Sequence, residues 1–312
     1  MSRLFPLALL AALPGFAGGV IKVETRTKMF MGEGTSTEWV AADRKKSEMN
    51  LQMSGMLGGF ARMGGASGHT ITIDRVDKGV TWTLDPEKKT YRERPMGVIE
   101  RQAPPERGGK GEHKYRIVDS GMKVTATGKK QVLNKWPCSQ YLVEGFIEME
   151  DLQTKERTKW VMNSELWTTP AAPLLKRYQD AEIAFARARL AKMGMGGETE
   201  IAGKLGFEML AGRTGMQGAE FAPTMAKMGA EMRKISGVAI LTRFSWTVSG
   251  GAAASAPKQK DMDPETAAMM KKMGINLAPG GGVSIEGEVE IKSVAEADGD
   301  FEIPPGYKRI ER

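Results

Sequence analysis

Period-two alternation at both ends of the chain, a change to helical period between them, and turn chemistry joining neighbouring strand runs predict an α+β protein built on a large antiparallel sheet. The clearest strand is 238–248, where Val238, Ile240, Thr242, Phe244, Trp246 and Val248 alternate with Ala239, Leu241, Arg243, Ser245 and Thr247. The clearest helical stripe is Phe221, Met225, Met228, Met232 and Ile235, with Pro223 near its first turn. The clearest turn joins Val80, Trp82 and Leu84 to Tyr91, where Asp85-Pro86 opens a hairpin because proline presets its φ.

The remaining elements follow in chain order. Two strands are expected over 20–30 and 37–48, separated by a Gly32-Glu33-Gly34 turn. Residues 50–68 are rich in Gly and Met without a sustained period, the mark of a flexible loop. The run 70–76 and the 80–91 hairpin make a three-strand meander. An exposed connection is expected over 101–111, with its Pro104-Pro105 and Gly108-Gly109 pairs. Short strands are expected at 114–118, 122–127 and 130–133, then a longer one at 138–149 with Tyr141, Val143, Ile147 and Met149 on one face. Residues 157–162 return antiparallel, with Thr158, Trp160 and Met162 together. Leu174, Tyr178, Ala181, Phe185 and Ala188 then mark an amphipathic helix over 173–193, opened by Pro173. A weaker helix over 201–216 is interrupted by glycines that each cost roughly 1 kcal/mol. Beyond 238–248, Asp263-Pro264 and Gly274 bracket a short helix. Val283, Ile285, Val289 and Ile291 alternate with Glu286, Glu288, Glu290 and Lys292, a half-exposed strand expected beside 238–248. The tail 301–307 is extended because Pro304-Pro305 forbids helix.

Composition narrows location. Residues 1–17 read as a signal peptide: Arg3, an apolar run over 4–13, and small residues at Gly15-Phe16-Ala17. No later stretch approaches about 18 uninterrupted apolar residues. The cleavage region has no cysteine, so a periplasmic protein without a lipid anchor is expected, forming a single domain over 18–312. Loss of Arg3 takes the formal charge from +7 to +6. The charges alternate in sign without a dense basic block, which favours a solvated mixed-charge surface and argues against nucleic acid. Cys138 is the only cysteine, which excludes an intramolecular disulfide and makes a buried thiol the expectation.

The chemistry-bearing residues point away from catalysis. The two histidines, His69 and His113, have no metal-ligand spacing around them. Phosphate-binding glycine loops and nucleophile elbows are missing from the sequence. Glu288 and Glu290 sit on an alternating outer face and read as a solvated edge. No cofactor and no metal is expected. The 22 methionines could hold copper(I) through thioethers, but their helical spacing favours core packing or an adaptable groove.

Several features occur in a recognisable order: the signal segment, Trp39 followed by Asp43-Arg44-Lys45-Lys46 and Glu48, the Trp82–Tyr91 hairpin, Trp136-Pro137-Cys138-Ser139-Gln140-Tyr141, Trp160 and Trp167, and Ile303-Pro304-Pro305-Gly306-Tyr307. In this order the chain resembles the LolA/LolB-like lipoprotein-carrier superfamily of bacterial envelope proteins, and most closely a branch known only as a domain of unknown function. The resemblance implies an incomplete antiparallel β-barrel whose apolar concave side is covered by helices and holds acyl chains. Residues 50–68, 170–235 and 250–282 depart from it as inserts. The function it implies is carriage of a lipid-like or lipoprotein-acyl ligand. The expected apolar lining is Trp82, Leu84, Trp160, Phe221, Met225, Met228, Met232, Phe244 and Trp246. The expected partners are an acyl chain or other hydrophobic ligand, and a membrane surface or envelope protein. The alternative is a non-enzymatic structural or interaction protein of the envelope with a filled core.

Overall fold

Among the described residues, thirteen strands join into one open, curved sheet, and two helices pack on it. The computed structural model describes residues 19–29, 32–53, 68–96, 115–170, 172–192, 218–250, 276–277 and 282–311. The strands are β1 (Val20–Met29), β2 (Gly32–Val40), β3 (Arg44–Met53), β4 (His69–Arg75), β5 (Val80–Asp85), β6 (Thr90–Pro95), β7 (Tyr115–Leu133), β8 (Trp136–Asp151), β9 (Arg157–Thr169), β10 (Val238–Gly250), β11 (Asn276–Leu277), β12 (Val283–Ala297) and β13 (Lys308–Arg309). The helices are α1 (Pro173–Lys192) and α2 (Gly218–Met232). Twelve strands run in the order β13-β6-β5-β4-β3-β2-β1-β12-β10-β9-β8-β7, with β11 added beside β12. All pairs are antiparallel except β13 with β6. The expected signal peptide, the connection at 101–111 and the helices at 201–216 and 263–274 lie outside the described residues, as do 54–67 of the loop expected over 50–68, whose first residues, 50–53, instead complete β3.

Two further expectations need correction. The segment expected as two strands forms three, because Ala41–Asp43 is a turn closed by the Ala41 N–H donating to the Arg44 carbonyl at 2.9 Å. Residues 115–133, expected as three short strands, are one long strand carrying register shifts between Ile117 and Asp119 and between Ala126 and Lys130. Each shift breaks the period-two pattern without breaking the pairing. Other elements follow their sequence signals. Asp85 opens the β5–β6 turn by accepting from the backbone N–H groups of Glu87 and Lys88, at 3.1 and 3.0 Å.

The sheet's centre is made by chain ends. Val23 of β1 faces Glu38 of β2 on one side and Val294 of β12 on the other. β12 also pairs with β10, as its alternation predicts. That makes β12 an interior strand, so Glu288 and Glu290 lie on a sheet face rather than an edge.

Register places both helices on the same face. Val40, packed by Ala181 and Phe185 of α1, is opposite Ile21. From β1 the face passes through the pairs Met29↔Gly287, Gly287↔Phe244 and Trp246↔Met162. There Ile147, Met149, Trp160, Met162 and Trp246 pack against Met228 of α2. Leu175 of α1, 1% exposed, anchors a third cluster with Ile21, Val23, Cys138, Trp167, Val238 and Ile240. The opposite face of β2–β6 is covered by the C-terminal segment, whose Phe301, Ile303 and Tyr307 pack on Trp39, Ile71, Ile73, Trp82 and Leu84.

Candidate functional site

The methionines converge where α2 meets the sheet. One cross-strand row reads Met122 (β7), Gly145 (β8), Met162 (β9) and Trp246 (β10). Because Gly145 has no side chain, the two flanking thioethers lean over it. A β-carbon there would meet Met122 Cε at 3.4 Å and Met162 Cε at 3.6 Å. The adjoining row adds Trp160 opposite Ile147. Met228, 3% exposed, closes the layer from α2, with Met232 beside it. Met122, Met149, Met162, Met228, Met232, Trp160, Trp246, Ile117 and Ile147 therefore make one apolar layer. Unbranched thioethers of this kind repack at little cost around differently shaped neighbours.

α2 is fastened on its β7 side. Thr224 Oγ1 lies 3.4 Å from Ser120 Oγ, and Glu231 Oε2 accepts from the Val124 N–H at 3.1 Å. Just past the helix, Ser236 Oγ lies 2.9 Å from the Tyr141 hydroxyl. Ala226, Lys227 and Ala230 face solvent, whereas Thr224, Met228 and Gly229 face the sheet. On the β9–β10 side, Trp160, Met162 and Trp246 are only half-buried.

The tryptophans differ in their hydrogen bonding. Trp82 Nε1 donates to Glu93 at 2.9 Å, and Trp167 Nε1 donates to Glu165 at 2.6 Å. Trp160 Nε1 is shielded from solvent and has no acceptor among the described residues. Such an unmet donor costs about 1–3 kcal/mol.

The structure brings together part of the expected lining. Trp160, Met228, Met232 and Trp246 share the methionine layer. Phe244 lies on the same face two residues from Trp246, with its ring over Gly287. Trp82 and Leu84 are elsewhere: 7% and 1% exposed, they lie on the opposite face beneath Phe301. The side chains of Phe221 and Met225, both in α2, lie outside the described residues. Sequence reasoning missed Met122, Met149 and Met162 as lining. Their signal is Gly145, a glycine inside a strand run, whose pairing across β7–β9 brings Met122 and Met162 together.

The face opposite α2 is polar. Leu142, Glu165, Arg243, Glu288 and Lys28 form one cross-strand row. Arg243 reaches Glu288 at 2.8 Å and Glu165 at 3.5 Å, and Lys28 reaches Glu288 at 3.7 Å. Arg243 donates a hydrogen bond that holds the Glu288 carboxyl below its usual range. A shallow groove of about 640 Å³ is lined by residues of this row and by Met29, Val143, Phe244 and Gly287 of the row next to it.

Under α1 sits a half-buried charge triad. Lys45 Nζ lies 3.0 Å from Glu38 and 2.9 Å from Glu182. Burial pushes the Lys45 ammonium down, but the two carboxylates more than offset it, so its pKa is raised. Burial pushes the Glu182 carboxyl up; Glu38 adds to this, and Lys45 only partly opposes it.

Among the described residues, no cluster of three or more His, Cys, Asp or Glu side chains is placed to hold a metal ion, and no helix is long and apolar enough to cross a membrane. Cys138, 2% exposed, is a buried thiol whose pKa burial raises. No family model, curated protein or solved structure matches the chain.

Proposed function

We propose that the protein is a periplasmic carrier or binding module for a lipid-like or lipoprotein-acyl ligand, held between α2 and the β7–β10 face. The observation that carries this reading is the uncharged methionine and tryptophan layer around Gly145, where flexible thioethers stand in place of rigid branched side chains. Binding is driven by burial of apolar surface at roughly 25 cal/mol per Å². α2 acts as a displaceable cover hinged along β7, and the half-buried Trp160, Met162 and Trp246 form the entrance. In this reading the helix-bearing face is the concave one, as in the LolA/LolB-like carriers the sequence resembles. The basic exterior meets a membrane surface or an envelope protein, and the chain performs no catalysis and binds no nucleic acid.

The purified chain is expected to release acyl material into organic solvent and, once stripped, to take up a fluorescent fatty-acyl probe. Gly145→Leu crowds Met122 and Met162 and is expected to lower probe uptake at least about tenfold while the fold persists. A stripped protein that rejects every apolar probe sinks the carrier reading. The alternative then stands, an envelope structural or interaction protein with a filled core. What favours that alternative is the depth of burial of Met228, Ile147 and Met149, at 3%, 4% and 2% exposure.

A further inference from the structure

The carrier reading leaves open which apolar ligand fits, and the polar atoms around the methionine layer narrow it. The apolar cluster contributed by α2, β7, β8, β9 and β10 is made of Met, Ile and Trp side chains. The Ser120 and Thr224 hydroxyls beside it face each other, and Glu231 takes the Val124 N–H and the Lys234 ammonium. The Trp160 indole N–H is different: solvent does not reach it, and it has no acceptor among the described residues. Trp82 and Trp167, in contrast, each donate to a carboxylate of their own chain.

We propose that the ligand of this layer is an uncharged acyl ester or amide whose carbonyl oxygen accepts from Trp160 Nε1, and that ionised fatty acid is rejected. The inference rests on the carrier reading. Its chemistry is direct. A neutral carbonyl satisfies a single N–H donor, whereas a carboxylate brought into an apolar layer loses its hydration and gains one hydrogen bond. A plain hydrocarbon fills the layer but leaves the donor unmet. The site therefore ranks ester or amide above both alkane and ionised acid.

The test uses the full chain, stripped of bound lipid, and displacement of a neutral polyene fluorophore. Methyl palmitate is expected to displace the probe about tenfold more effectively than hexadecane or than palmitate at neutral pH. Palmitate should gain as the pH is lowered towards roughly 5 and the acid becomes neutral, while the ester is unaffected. Trp160→Phe should erase the advantage of ester over hexadecane, read as the ratio of the two displacement constants within that variant. If that variant misfolds, the wild-type protein still reports: the Trp160 indole N–H resonance should move downfield with ester and not with hexadecane. A diacylglycerol and a palmitoylated peptide, run in parallel, separate a free lipid from an acylated protein as the source. Ionised palmitate binding as tightly as the ester, or an ester advantage untouched by both Trp160 measurements, overturns the proposal while leaving the carrier reading intact. Failure of every ligand, hexadecane included, overturns the two together.

Discussion

Lys45 is one ammonium shared by two carboxylates, and this decides how the region under α1 answers to pH. Glu182 has a folded pKa raised above 4.5, so its ionisation opposes folding. Its favourable contribution is complete below 4.5 and is lost as the pH rises through the folded value. Lys45 has a folded pKa raised above 10.5, so its contribution is complete below 10.5 and is lost as the pH rises past its folded value. Urea unfolding of Glu182→Gln across a pH series is therefore expected to show a flatter profile just above 4.5 than the wild type. Lys45→Met strands two acids against each other and is expected to cost on the order of 2 kcal/mol by the same measurement. Cys138 offers a second residue-scale check. Burial of its thiol predicts slow maleimide labelling of the native protein and fast labelling once it is unfolded.

Among the elements, α2 and the C-terminal segment differ in how they are held. α2 is tied to β7 through Thr224 and Glu231, with much of its outer side in solvent. Its amides are expected to exchange with deuterium earlier than those of β10, which is paired on both sides. The C-terminal segment buries Phe301 to 4% exposure, under the guanidinium of Arg44 at 5.4 Å from the ring centroid. Phe301→Ala is expected to cost about 3 kcal/mol in chemical denaturation. Gly237, which leads from α2 into β10, has φ +85° and sits where a β-carbon would lie 2.1 Å from the Thr169 carbonyl oxygen. Most element identities were legible because Val238–Val248 and Leu174–Ala188 state their periods openly. β7 was not, because its bulges shift the period at Ile117 and Ala126. The burial of Trp82 under Phe301 was not legible either, since an inward-facing strand residue has the same spacing whichever layer covers it. Nor could spacing show which indole lacks an acceptor: Trp82 and Trp167 find glutamates across strand pairs or along their own strand, and Trp160 does not.

For the whole molecule, β12 joins two halves that would otherwise each end in an open strand. β2–β6 extend from β1 on one side, and β10, β9, β8 and β7 follow on the other. Neighbouring hairpins were readable one by one, but the insertion of β12 between β1 and β10 depends on pairing across nearly the full chain. Ending the chain before Val283 is expected to give insoluble protein, because β1 and β10 would both expose unpaired backbone. The order in which the chain is made adds a consequence. β1 is made well before β12 and must wait for Val294 before its second edge is covered. Closing so long a loop is slow compared with forming the local hairpins. For that interval β1 and β10 each keep an unpaired border, and the growing chain is open to mispairing there until β12 has emerged.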